Sequence, residues 1–220
     1  MTRGARLPRY LQSNISSRSR GASLAFDAII LTVPCSQVAR LCPTLSETEK
    51  ARLRGVTYQG IICAALLLKR PLAGYYITNI TDPGVPFTAV VEMTALVNRE
   101  AFGGHSLVYL PRYVTADDPL WERDDASITA EFLDGLKRMY PNVREDDVAA
   151  SLVSRVREML AVPTLDYSSS LAPSVGTSLP NVLVVNSAQI VNETLNVNET
   201  IGLGEAKALE LERHLGVRTA

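Results

Sequence analysis

The chain has 220 residues, 46% of them hydrophobic and 20% charged, and its 22 Lys and Arg against 23 Asp and Glu leave a formal net charge of −1. A chain of this size removes roughly 70% of its unfolded surface from water when it folds, and this one lacks the basic excess of a dedicated nucleic-acid binder. Its longest charge-free apolar run, residues 60–68, falls far short of the ~20 residues that cross a bilayer.

The first two dozen residues are basic and Ser-rich, with Arg3, Arg6, Arg9, Arg18 and Arg20 and no acid before Asp27. Residues 1–25 read as a poorly ordered terminus, with a mitochondrial transit peptide as the alternative. Residues 28–33 (AIILTV) form an apolar, β-branched run ended by Pro34, which predicts a strand buried on both faces, as in a parallel sheet. Cys35, Cys42 and Cys63 are odd in number and show no CxxC spacing. They argue against a disulfide framework or a cysteine metal site and fit a reducing, cytoplasmic setting. Ser46 with Glu49 is a capping box that starts a short helix to about Arg54.

Residues 60–68, 75–80, 88–93 and 107–114 are strand-like and separated by Pro, Gly, Asp and Asn turns, a spacing that predicts antiparallel pairing. Residues 125–140 predict a helix whose buried face carries Ile128, Phe132, Leu133, Leu136 and Met139, ended by Pro141. Residues 148–156 read as a further strand and 163–180 as a Pro- and Ser-rich linker. Residues 182–185 (VLVV) are a second fully buried strand, followed by a polar loop and a helix over 198–215.

Few side chains suggest chemistry directly. No HExxH, Walker A or GxSxG pattern occurs, and no metal ligand set is apparent. His105, beside Gly103-Gly104, reads as structural, and His214 fits the favourable end of a helix dipole. Trp121 reads as loop packing, and the acids around Asp117 and Glu122 as a solvated helix entrance. The N-x-S/T matches at Asn14, Asn79, Asn192 and Asn198 are chance occurrences of a loose pattern. Tyr58, Tyr75, Tyr109 and Tyr113 fit either a substrate cavity or core packing. Residues 181–204 carry most information: a buried strand ends in an Asn- and Gln-rich loop that opens a helix, with Gly202 and Gly204 in its first turns allowing close approach of a ligand or neighbouring backbone. Such a helix N-terminus suits a phosphate or an electron-rich ring edge; equally, Asn196 or Asn198 simply caps a helix packed on the sheet.

This segment resembles the C-terminal flavin-contacting motif of the flavin-containing amine oxidase and protoporphyrinogen oxidase-like superfamily, which reads strand, N-x-x-Q-I, loop, then N-E-x-[VI]-x-L. Asn186, Gln189, Ile190, Asn198, Glu199, Ile201 and Leu203 fit that pattern. The opening FDAIILTVPCSQV resembles the family strand that ends in a Val-Pro pair beside the flavin, and SLVYLPRY at 106–113 with the later Pro163–Tyr167 resembles its substrate domain. The resemblance implies an FAD-dependent oxidoreductase acting on a small molecule. Val33 and Pro34 would lie along the flavin, Asn186 and Gln189 would shape the loop, and Asn198, Glu199 and Thr200 would present the helix N-terminus to the ring edge.

It also implies an α+β fold: a mainly antiparallel substrate-domain sheet (residues 35–179) joined to part of a Rossmann-like FAD-binding domain (residues 26–34 and 180–216). The GxGxxG turn that binds the ADP half of FAD occurs nowhere in the 220 residues. A separate N-terminal FAD-binding half, or a second copy of the chain, is therefore an expected partner. The alternatives are a UDP-galactopyranose mutase-like flavin isomerase, with Arg112, Arg155 and Arg157 as its phosphate clamp, and a non-catalytic fragment acting through a partner subunit. No residue stands out as a catalytic acid or base.

Overall fold

A computed structural model describes residues 15–19, 22–191 and 195–215. In chain order the elements are β1 (Ile15–Ser19), β2 (Ala22–Phe26), β3 (Ile29–Leu31), α1 (Cys35–Leu41), α2 (Glu47–Gly55), β4 (Tyr58–Leu68), β5 (Ile77–Asn79), β6 (Ala89–Glu92), β7 (Ser106–Val114), α3 (Asp125–Met139), β8 (Val148–Ala161), α4 (Tyr167–Ser170), β9 (Val182–Val184) and α5 (Val197–Leu215), with short 3-10 turns between some of them. They form two compact units, Tyr58–Met159 and the described residues of Met1–Thr57 with Leu160–Ala220. The division differs from the expected one at 34/35 and 179/180: α1, α2 and the segment after Leu160 go with β3 and β9. Arg3, Arg6, Arg9 and Arg20 and the sequons at Asn14 and Asn192 lie outside the described residues.

The Tyr58–Met159 unit is a five-stranded sheet in the order β5-β6-β7-β4-β8. β4 and β7 pair antiparallel from Gly60↔Val114 to Leu68↔Ser106, and β6 joins through Val91↔Tyr109. Strand alternation sends Ile62, Ala64, Leu66, Leu68, Val108 and Leu110 to one face, where they share a core with Ile128, Phe132 and Leu136 of α3. The predicted helix face is therefore the packed one. Asp124 caps α3 by accepting from the Ser127 N–H at 2.8 Å, and Phe132 meets the ring of Phe87 edge-on at 5.6 Å. Two glycines permit the closest approaches. A Cβ on Gly60 would sit 2.4 Å from the Trp121 ring, and one on Gly135 would sit 2.6 Å from Pro86.

At the end of α3, Arg70 forks onto Asp147 through Nε (2.9 Å) and Nη2 (2.6 Å). The Arg70 side chain, and then the Arg144 N–H, pull the Asp147 carboxyl down from an ordinary 3.8 to about 2. A depressed native pKa stabilises the fold above the unfolded value and loses that contribution as pH falls toward the native one. Thermal melts of the wild type and Asp147→Asn are thus expected to differ at neutral pH and to converge between about pH 4 and pH 2. An unchanging difference across that window would contradict the assignment.

In the other unit β3 and β9 pair parallel, Ile29↔Val182, Ile30↔Leu183 and Leu31↔Val184, as their shared apolar character predicts. β9 is buried throughout, flanked on its other side by the Gly176↔Leu183 bridge. β3 departs from the expectation of burial on both faces, because Ile30 is 44% exposed. Ile29 and Leu31 direct their backbone bonds to β9, so Ile30 points its own toward an edge with no strand among the described residues. The Ser46 capping box forms as predicted, with Ser46 Oγ accepting from the Glu49 N–H. Glu49 extends it by accepting from the Ser178 N–H at 2.7 Å, which ties α2 to the segment before β9.

Two further expectations are corrected. Part of the basic terminus is ordered: β1 and β2 pair antiparallel from Ile15↔Phe26 to Ser19↔Ala22. An Arg- and Ser-rich composition lowers burial without preventing a strand ladder, whose bonds are backbone ones. The segment expected as a linker, 163–180, contains α4 and buries Tyr167 and Val175. Its prolines and serines shape turns around those two anchors.

Candidate functional site

The carboxyl ends of β3 and β9 lie side by side, since the two strands run parallel in register. From β3 the chain passes through Val33 to Pro34, which occupies the N-cap position of α1 with φ −53°. From β9 it passes to Asn186, which opens a 3-10 turn at Ser187–Gln189. Asn186 is 7% exposed and joins the two ends. Its Nδ2 donates to the Val33 carbonyl at 2.8 Å, and its Oδ1 accepts from the Ala188 N–H at 3.0 Å. Gln189 Oε1 accepts from the Asn186 N–H, while its Nε2 donates to the carbonyls of Pro173 and Val184. The expected loop residues are thus brought together, and their side chains hold backbone.

Two members of this cluster escaped the sequence reading. The Cys35 thiol is fully buried and within 3.9 Å of Asn186 Oδ1. Tyr167 is buried and donates to the Ala188 carbonyl at 2.8 Å. Burial, reinforced by Cys35 and opposed by Arg52, pushes the Tyr167 hydroxyl up to about 12, so it remains a neutral donor. The signal available in the sequence was the Asn186/Gln189 spacing of three, which is that of a capping box.

Asn198, Glu199 and Thr200 fall in the first turn of α5. Asn196 caps it, with its Oδ1 accepting from the Glu199 N–H and its carbonyl from the Thr200 N–H and hydroxyl. The helix therefore opens one residue earlier than expected, and Asn198 is an exposed first-turn residue rather than a cap. A Cβ on Gly202 or Gly204 would meet nothing within 4 Å, so neither marks a close approach among the described residues. His214 lies on α5, and its side chain is outside the described residues.

In the Tyr58–Met159 unit the sheet face away from the core carries Ile61, Cys63, Ala65 and Leu67 of β4 beside Leu107, Tyr109, Pro111 and Tyr113 of β7. Tyr109 and Tyr113 share this face. Tyr58 has the opposite parity and Tyr75, 69% exposed, precedes β5. Burial pushes the Cys63 thiol up to about 11, which removes it as a nucleophile. The three arginines of the conceivable phosphate clamp are each matched with an acid: Arg112 with Asp118, Arg155 with Asp125, and Arg157 with Glu122, the last also stacked 4.6 Å over Trp121. Among the described residues no group of three His, Cys, Asp or Glu side chains converges as a metal site requires, and no helix is long and apolar enough to cross a membrane.

The family described as flavin containing amine oxidoreductase matches residues 14–185, most of the chain. The chain belongs to that family. The match runs through β1, β2, β3 and the whole Tyr58–Met159 unit and stops one residue before Asn186, so the polar loop and α5 lie beyond it.

Three solved structures share the fold. An oxidoreductase from Methanosarcina mazei is 20% identical with a TM-score of 0.64; the alignment covers 87% of this chain and 44% of that one. A provisionally assigned protoporphyrinogen oxidase from Exiguobacterium sp. 255-15 is 15% identical with a TM-score of 0.62, over 90% of this chain and 46% of that one. A reduced UDP-galactopyranose mutase is 13% identical with a TM-score of 0.54, over 66% and 32%. This chain therefore spans under half the length of each of those structures. No curated protein matches it in sequence.

Proposed function

We propose that the chain provides the flavin-ring side of an FAD site and one wall of a substrate cavity in an amine oxidase-type oxidoreductase. The observation that carries this reading is the Asn186 clasp between Val33 and Ala188. It fixes the carboxyl ends of two parallel strands, the place where open α/β sheets bind ligands, and it does so in a chain whose family is flavin-containing. The residues fit the ring side: Val33 and Pro34 offer an apolar edge, Asn186 and Gln189 hold the loop, and Asn198, Glu199 and Thr200 sit in the first turn of α5, whose positive dipole end favours electron density. Glu199, as an acid, suits the ribityl hydroxyls better than a phosphate. When bound, the flavin supplies the oxidation of a C–N or C–C bond.

The β3–β9 pair and α5 belong to a Rossmann-like FAD-binding part, and the Tyr58–Met159 unit is the substrate-binding part, with Tyr109 and Tyr113 on its cavity wall. The residues do not fit the ADP half, because no Gly-rich turn is available to approach a pyrophosphate. That half falls to an N-terminal FAD-binding part outside these 220 residues, and the exposed edge of β3 is where its parallel sheet would continue. The isomerase reading has less support, since its clamp arginines are already matched with acids.

The test is to purify the chain with excess FAD, alone and after co-expression with the N-terminal half of a family member. Flavin absorbance is expected in the co-expressed pair only, with retention reduced about tenfold by Asn186→Ala, as loss of a buried hydrogen-bonded partner implies. Stoichiometric flavin on the chain alone would refute the two-part site. A folded complex without flavin would refute the flavin reading.

A further inference from the structure

The 3-10 turn at Ser187–Gln189 is shaped from within and placed from outside. Asn186 Oδ1 accepts from the Ala188 N–H and Gln189 Oε1 from the Asn186 N–H, local bonds that would travel with the turn wherever it sat. Its place in the unit is set by bonds from further along the chain: Asn186 Nδ2 to the Val33 carbonyl, Gln189 Nε2 to the Pro173 carbonyl, and the Tyr167 hydroxyl to the Ala188 carbonyl. The last is the least replaceable. Ala188 is fully buried, and its carbonyl has no other partner among the described residues. A buried acceptor stripped of its donor loses more than the bond itself contributed, because water cannot take the donor's place.

The donor is itself held on its own side. Tyr167 opens α4, its N–H donating to the Thr164 carbonyl and its carbonyl accepting from the Leu171 and Ala172 N–H groups. Asp166 before it takes the left-handed conformation, φ 59°, and its carbonyl accepts from the Ser169 and Ser170 hydroxyls. Backbone on both sides of the ring is thus fixed before the hydroxyl reaches Ala188. Burial, and then the nearby Cys35, keep that hydroxyl protonated against the pull of Arg52. Cys35 follows Pro34, so the Tyr167 hydroxyl lies within electrostatic reach of the β3 side of the site and in hydrogen-bond contact with the β9 side.

We infer that Tyr167 is a positioning residue for the flavin loop: it holds the Ala188 carbonyl, and through it the Ser187–Gln189 turn on the path from β9 to α5. Its hold on the turn stands on the geometry alone, and its consequence for flavin rests on the reading proposed above.

The experiment uses Tyr167→Phe, which removes the hydroxyl and keeps the ring. In the full chain, amide exchange is expected to quicken about tenfold at Ala188, Gln189 and Ile190, whose N–H groups bond within the turn, and to change little in β9. Leu53→Ala truncates a buried side chain of α2 in the same unit and is expected to leave the protection of these three amides unchanged relative to β9. In the pair co-expressed with an N-terminal half, Tyr167→Phe is expected to weaken FAD retention by up to the same factor and to shift the visible flavin band. Unchanged exchange at the three amides overturns the inference, as does an equally selective loss in Leu53→Ala. Faster exchange with wild-type FAD affinity and spectrum overturns the role toward flavin and leaves the flavin reading standing. A wild-type pair without flavin refutes that reading instead, and the exchange result still decides whether Tyr167 holds the turn.

Discussion

Phe132→Ala is expected to lose about 3–5 kcal/mol of stability, the range for truncating a large buried aromatic. Phe132 is fully buried at the middle of α3, its ring edge-on to Phe87, in the core that α3 shares with β4 and β7. The residues around it cannot collapse into the space, because the sheet fixes Ile62, Leu66, Val108 and Leu110 in register and Pro86 already touches the helix at Gly135. Met139, about two turns further on, is only partly buried, so Met139→Ala should cost distinctly less. Urea unfolding with an unchanged slope measures both. A Phe132→Ala midpoint within error of wild type would mean that α3 does not pack by this face.

Glu92→Ala is expected to cost about 1–3 kcal/mol, more than an ordinary surface substitution, which is usually within ~0.5 kcal/mol. Glu92 is 3% exposed at the end of β6, and its oxygens accept from three consecutive backbone N–H groups at 3.0, 3.3 and 2.9 Å. Removing it takes the acceptor from three donors, two of them on the exposed residues Ala73 and Gly74 and one on the half-buried Leu72. Glu92→Gln keeps one carbonyl oxygen but turns an amide donor toward other donors, so about half of that loss is expected. Amide exchange locates the effect: protection at Leu72, Ala73 and Gly74 should fall first in both variants. Retained protection in Glu92→Ala would show that the segment is held by something else.

How much of this was legible in the sequence depended on the range of the interaction. Local, periodic signals transferred well. The Ser46/Glu49 capping box, the Ile128–Phe132–Leu136 stripe and the strand over 60–68 are each decided within a few residues, and each has the expected partner in space. The kinship of 28–33 with 182–185 was legible as composition, and the parallel pairing follows. The exposure of Ile30 was not, because burial depends on what lies across the sheet rather than on the strand's own residues. At the site, Asn186 and Gln189 were legible as the residues that shape the loop. Their side chains point into backbone clasps that only the proximity of Val33, 153 residues away, makes possible. Tyr167 was read only as the end of a substrate-domain resemblance at 163–167, because a Pro- and Ser-rich composition conceals a single buried anchor. Glu92 was missed because nothing local distinguishes an acid that closes a loop 18–20 residues upstream.

The discontinuity of the β3 unit sets an order of events on the ribosome. Leu31 pairs with Val184, and Cys35 meets Asn186 across 151 residues of chain. At a synthesis rate of roughly 5–20 residues per second, about 8–30 s separate the emergence of these partners. The Tyr58–Met159 unit, continuous in sequence, emerges complete within that interval and can fold first. Throughout it residues 28–33 wait as an apolar strand without their β9 partner, which makes them a natural binding segment for a chaperone during translation.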